Sequence, residues 1–272
     1  MTAPGGVSSL DDGQTPGRSA VRRCFKPDRK ARHGSRSRPS SRAMTRQPLF
    51  QDRAEAGRRL ADALAALGPD DPVIYALPRG GAPVAFEVAR RLDAPLDLAL
   101  VRKIGAPGQP ELALAAVVDG DEPHMVVNES VRRLTGASDA YIDAERAREL
   151  AEIERRRQLY FGARPRSSPR GRSAIVIDDG LATGATARAA IEGLRRQGAA
   201  KVILAVPVAP PEAAAAMRRE VDAFVCLAEP SPFRSVGEAY VDFHQLEDQE
   251  VLDLLADAAA FGTGRKAGQD GP

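Results

Sequence analysis

The stretch Ile175-Val176-Ile177-Asp178-Asp179-Gly180-Leu181-Ala182-Thr183-Gly184-Ala185-Thr186 constrains this chain more than any other. An apolar run that reads as a buried strand stops at two adjacent carboxylates. A loop of small residues follows, and the next helix begins at Thr-Gly-Ala-Thr. A helix N-terminus offers unpaired N–H groups and about half a positive charge. Gly184 lets backbone approach a ligand closely, and Thr183 and Thr186 add hydroxyl donors. The unit is an anion cradle with an acidic lip, at the strand end where open α/β sheets bind ligands.

The flanking pattern agrees. Helices are expected over Asp52 to Leu67, Ala82 to Leu92, Ser138 to Tyr160, Ala185 to Gln197, Pro211 to Glu220 and Asp248 to Ala259. Strands are expected over Val73 to Leu77, Leu96 to Val101, Ala174 to Ile177, Val202 to Pro207 and Ala223 to Leu227. Such alternation predicts an α/β fold: an open parallel sheet with helices on both faces. Ser138 should cap the long charged helix, with Glu152 and Arg156 paired one turn apart. Gly105, Pro107, Gly108 and Pro110 read as a loop. Ala113 to Val118 and His124 to Asn128 read as a strand pair.

Two carboxylates would repel a phosphate, so their partners should be sugar hydroxyls or a metal-bound group, and the implied ligand is a phosphorylated sugar. A triphosphate loop needs a lysine, and 178–186 has none. The dinucleotide fingerprint is missing, because Gly180 and Gly184 are four apart. A phosphoacceptor receiver carries its acids on the first strand, whereas strands precede them here. Both acids are expected at a sheet edge facing solvent.

The stretch resembles the phosphoribosyl-pyrophosphate (PRPP) motif of the type I phosphoribosyltransferases, departing from it at Gly180-Leu181, where many members carry larger apolar residues. The resemblance implies that Asp178 and Asp179 hold the ribose hydroxyls and that Ala182, Thr183, Gly184, Ala185 and Thr186 hold the 5′-phosphate. Leu77-Pro78-Arg79-Gly80-Gly81-Ala82 resembles the pyrophosphate loop, making Arg79, Gly80, Gly81 and Lys103 pyrophosphate ligands. Arg102-Lys103, leading through Pro110-Glu111, resembles a closing catalytic loop, and Asp178, Asp179, Arg102 and Lys103 form the implied catalytic set. The segment 230–243 holds three of the chain's twelve aromatics and resembles a hood over the acceptor base, with Phe233 and Tyr240 as stacking residues. His124 and His244 receive no role. The resemblance covers roughly residues 50–258 and is nearest to bacterial members of undefined acceptor.

Charge divides the chain. Of 272 residues, the first 44 carry eight Arg and two Lys against three Asp, or +7, which leaves −5 for the rest of a chain of net +2. These 44 residues include sixteen Gly, Pro or Ser and four Leu, Ile, Val or Phe, so they are expected to form a disordered basic extension. A nucleic-acid or lipid arm and a transit peptide compete with the reading that Met44 is the true start. The folded domain is placed at 45–261 and a flexible tail at 262–272. No apolar run is long enough to span a membrane. Cys24 and Cys226 form neither a disulfide framework nor a metal-ligand spacing. A cytoplasmic location is expected. The acidic domain argues against nucleic acid, and the 138–160 helix is the candidate homodimer interface.

The function expected from the resemblance is transfer of the 5-phosphoribosyl group from PRPP to a nitrogenous acceptor such as a nucleobase, with release of pyrophosphate and with Mg²⁺ as cofactor. A PRPP sensor that does not turn its ligand over is the alternative. A PRPP-forming pyrophosphokinase would need an ATP site, and none is evident.

Overall fold

The computed structural model describes residues 47–120, 123–162 and 164–262. The expected extension over 1–44 and all but Gly262 of the expected tail lie outside the described residues. The elements run α1 (Arg53–Leu67), β1 (Pro72–Ala76), α2 (Gly81–Leu92), β2 (Leu96–Leu98), β3 (Val101–Ala106), β4 (Gln109–Val118), β5 (His124–Val127), α3 (Glu129–Thr135), α4 (Asp139–Tyr160), β6 (Ser173–Ile177), α5 (Ala185–Arg196), β7 (Lys201–Val208), α6 (Pro211–Glu220), β8 (Ala223–Ala228) and α7 (Asp248–Asp257).

Five strands form a parallel sheet in the order β2-β1-β6-β7-β8. Its central strands are buried at every position of β1 and β6, as covering on both faces requires. Ile74, Ala76, Ile175 and Ile177 face a core shared with α1, α2 and α7. Val73, Tyr75, Ala174 and Val176 face the opposite core, shared with α5 and α6. The chain leaving β1 therefore turns to one face and the chain leaving β6 to the other. That divergence opens a crevice at the carboxyl ends of two neighbouring strands, the position at which such sheets take ligands.

A second, antiparallel sheet in the order β3-β4-β5 packs on α4 through Ile104, Leu114, Val117, Ile142 and Ile153. Ser138 caps α4 through the Tyr141 N–H, and Glu152 pairs with Arg156 at 2.8 Å, both as expected. The 105–110 segment is not a loop: it is a hairpin turning at Pro107-Gly108, with register shifts on either side of Gly105. Bulges of this kind accommodate Gly and Pro within a ladder, which the punctuation argument had disallowed. The strand expected over 96–101 divides, because Leu98 pairs in the parallel sheet while Val101 pairs with Val118 in the other.

Candidate active site

A cleft of about 440 Å³ opens at the divergence of β1 and β6, lined by Leu77, Pro78, Arg79 and Gly80 on one side and Asp178 and Asp179 on the other. Thr186, Arg53 and the segment Phe243–Leu246 complete the wall. The acids do not lie at a sheet edge facing solvent. β6 is the middle strand, both residues are only partly exposed, and the Asp179 side chain retains 13% of its accessible area.

The loop after β1 is pulled hard against the loop after β6. Gly81 N–H donates to the Leu77 carbonyl at 2.9 Å and Ala82 N–H to the Arg79 carbonyl at 3.1 Å. The Gly81 amide, on a residue expected to bind pyrophosphate, is thus spent with that of Ala82 in closing the turn. Those of Arg79 and Gly80 have no hydrogen-bond partner among the described residues. The Arg79 guanidinium lies 3.6 Å from Asp248 at the start of α7, and Asp248 also accepts from the Tyr160 hydroxyl.

After β6, Gly184 adopts φ +77° and caps α5. A side chain is disfavoured in that left-handed conformation, so glycine is what allows the chain to turn directly into the helix. The amides of Thr183, Gly184, Thr186 and Ala187 have no hydrogen-bond partner among the described residues, and Ala185 N–H has only a 3.5 Å contact with Thr183 Oγ1. Ala182 and Thr183 are exposed. Open donors at a helix N-terminus make a ready anion cradle.

The acids have opposed environments. Burial, then the neighbouring Asp179 charge, holds the Asp178 carboxyl well above the ordinary carboxylate range, although it accepts from the Asp179 N–H at 2.9 Å. Burial also raises Asp179, but Arg53 opposes the rise: its Nε donates to Asp179 Oδ2 at 2.9 Å. The sequence reading missed Arg53. One signal was available, because a cation in the first turn of a helix opposes the helix dipole and calls for a local reason.

The 230–243 segment does contribute to the cleft, through a different aromatic. Phe233 and the buried Tyr240 pack into a cluster with Phe50, Ala56, Val208 and Ala239. Tyr240 donates its hydroxyl to the Asp179 carbonyl at 2.5 Å. Phe243, stacked on Tyr240 at 5.1 Å, reaches the cleft wall and carries the Arg53 guanidinium 3.9 Å over its ring. The His244 ring, also in the wall, contacts Glu250 and Asp242, and these carboxylates raise its pKa.

Arg102 and Lys103 stand apart from the acids. Both lie on β3. Arg102 Nε pairs with Glu149 of α4 at 2.6 Å, and Lys103 Nζ pairs with Glu111 at 3.2 Å. Lys103 borders a second cavity, of about 250 Å³, which shares Thr186 with the main cleft. No helix among the described residues is long and apolar enough to cross a membrane.

Known proteins similar to this chain place it in one family. Residues 51–241 match the family model for the phosphoribosyl transferase domain. Two curated Mycobacterium tuberculosis proteins, from strains H37Rv and CDC 1551, carry provisional names as phosphoribosyl transferases. Each is 47% identical to this chain over 207 residues, covering 76% of it and 46% of its own length. The chain thus spans about half the length of these relatives. The crystal structure of TT1426 from Thermus thermophilus superposes with a TM-score of 0.68 at 43% identity, covering 76% of this chain and 98% of that one. On this sequence match over residues 51–241, the chain belongs to the phosphoribosyl transferase domain family.

Proposed function

We propose that this protein transfers the 5-phosphoribosyl group from PRPP to a nitrogenous small-molecule acceptor and releases pyrophosphate. One observation carries the reading. The open-amide cradle reaches one cleft at Thr186, and a pair of carboxylates and a turn with two open amides and an arginine line that cleft. That order of donor, acceptor and donor matches the order of groups along PRPP: anionic 5′-phosphate, hydrogen-bond-donating ribose hydroxyls, anionic pyrophosphate.

In this reaction the C1–O bond breaks with its electron pair passing to pyrophosphate, and the acceptor nitrogen closes a new bond to C1, any proton on that nitrogen passing to water. No protein nucleophile is needed, so the work is positioning and electrostatic stabilisation. The 182–186 loop anchors the 5′-phosphate, and Asp178 and Asp179 accept hydrogen bonds from the ribose. Arg79, with the Arg79 and Gly80 amides, receives the charge on the leaving group. Phe243 and Leu246 supply apolar wall on the acceptor side.

The residues present fit Mg²⁺. Asp178 and Asp179 offer the oxygen ligands that a hard dication takes, and no group of three or more metal-binding side chains occurs among the described residues. That donor set suits an ion held by one or two carboxylates together with substrate phosphates. When bound, Mg²⁺ neutralises charge on the departing pyrophosphate.

A PRPP sensor is the second reading, and the pairing of Arg102 and Lys103 with Glu149 and Glu111 favours it. Two cations tied into a sheet supply less to a closing loop than free ones would. Pyrophosphate release from PRPP and Mg²⁺, measured across a panel of nucleobases and amines, tests the proposal. Release that depends on one acceptor supports the transferase. Tight PRPP binding with no release across the panel overturns it in favour of the sensor.

A further inference from the structure

Arg53 is 8% exposed, although it opens a helix whose dipole disfavours a cation at that end. Its guanidinium touches three parts of the site. Nε bonds Asp179 Oδ2 at 2.9 Å, Nη1 bonds the His244 carbonyl at 2.9 Å, and the plane lies over the Phe243 ring. The chain on either side of these contacts is pinned. Phe50 bridges to Tyr240, Val241 N–H donates to the Phe50 carbonyl at 2.9 Å, and Asp242 N–H donates to the Gln51 carbonyl at 2.8 Å. Arg53 thus enters the cleft from a segment that is itself part of the hood. Only one carboxylate oxygen of Asp179 is taken; Oδ1 has no side-chain partner among the described residues.

We infer that Arg53 is the positioning residue of this site: it fixes Asp179 with Oδ1 open to the ribose and latches the acceptor-side hood to that same carboxylate. Ribose capture and the hood are then coupled through one guanidinium. A planar fork is suited to this because one guanidinium can serve two acceptors while stacking on a ring, which a lysine ammonium cannot do. The inference rests on the PRPP reading of the cleft.

The test uses the full chain with Mg²⁺ and PRPP, by titration calorimetry and by hydrogen exchange at residues 239–246, for wild type, Arg53→Met and Arg53→Lys. Expected for Arg53→Met is binding weaker by about tenfold or more, the scale of a lost charge-assisted hydrogen bond, with no protection of 239–246 on adding PRPP. Arg53→Lys restores the charge and brings affinity to within about threefold of wild type, but shows no added protection of 239–246 when PRPP is added. A lysine variant that still protects the hood overturns the latch even if the methionine variant does not fold. Wild-type affinity in Arg53→Met removes the Arg53 role while leaving the PRPP reading standing. A wild-type chain that does not bind PRPP removes both.

Discussion

Gly80 lies directly against the Asp179 carboxylate: a β-carbon on Gly80 would stand 2.2 Å from Asp179 Oδ2, well inside contact distance. The two loops of the cleft are therefore sized to each other, and Asp179 cannot yield freely because Arg53 holds the same oxygen.

Gly80→Ala should accordingly displace Asp179 or push the 78–81 turn outward. We expect PRPP binding to fall at least about tenfold and stability to fall by about 1–3 kcal/mol, the usual scale of overpacking. Calorimetric titration and chemical denaturation measure the two effects. Unchanged affinity in this variant would show that the loops are not coupled.

The two acids should respond to amide substitution with opposite signs. Asp178→Asn removes a carboxylate that burial and Asp179 already disfavour, so thermal stability should hold or rise, while PRPP binding is lost. Asp179→Asn deprives the buried Arg53 of its carboxylate and should cost about 1–3 kcal/mol, below the full penalty for a buried pair because the cleft admits water. Melting curves of the two single variants decide it, and equal shifts would contradict the asymmetry described here.

Asp178 also predicts a slope in stability against pH. Its folded form holds a proton more tightly than the unfolded chain does, whose carboxyl titrates near about 4. Its contribution is then fully present below that pH and is lost as pH rises through the elevated folded value. Denaturation free energies of the ligand-free protein, taken from pH 4 upward, should decline more steeply in wild type than in Asp178→Asn. Parallel profiles would exclude an elevated Asp178.

A further prediction concerns the joint between the two sheets. Arg166 reaches Asp119 at the end of β4 through Nη1 at 2.6 Å, Asp97 in β2 through Nε at 3.2 Å, and the Leu98 carbonyl through Nη2 at 3.0 Å. Asp97 and Asp119 are nearly inaccessible, with side chains 5% and 1% exposed. Arg166→Met should cost about 3–5 kcal/mol, because it strands buried carboxylates rather than merely deleting a pair. Urea denaturation measures this, and a loss under about 1 kcal/mol would mean that Arg157, 3.3 Å from Asp119, is sufficient alone.

Legibility in the sequence followed the range of the interactions. The strand–acid–loop–helix unit at 174–196, the Ser138 cap and the Glu152–Arg156 pair are local, so residue spacing exposes them. The 105–110 turn of the hairpin reads as a loop because glycine and proline punctuate it, and its bulges become visible only once β4 is in place. Helix α3 has no buried residue, so it left no apolar period, although Asn128 and Gly136 cap it. Arg53 lies 126 residues from Asp179 and 191 from His244, beyond any spacing argument. Phe243 was in the segment singled out, but nothing in composition distinguishes it from Phe233 or Tyr240.

The pairing of Phe50 with Tyr240 has a bearing on how such a protein acquires new chemistry. Under the proposed function, the grip on a phosphorylated sugar comes from the loops after two neighbouring strands in the middle of the sheet, and the acceptor wall from segments near the two ends of the domain. Because Arg53 and Tyr240 both bond Asp179, replacements at 47–53 or 230–246 would reach the proposed sugar site as well as the proposed acceptor wall. On this reading, the grip on the sugar donor and the choice of the second substrate are joined through one residue, Asp179.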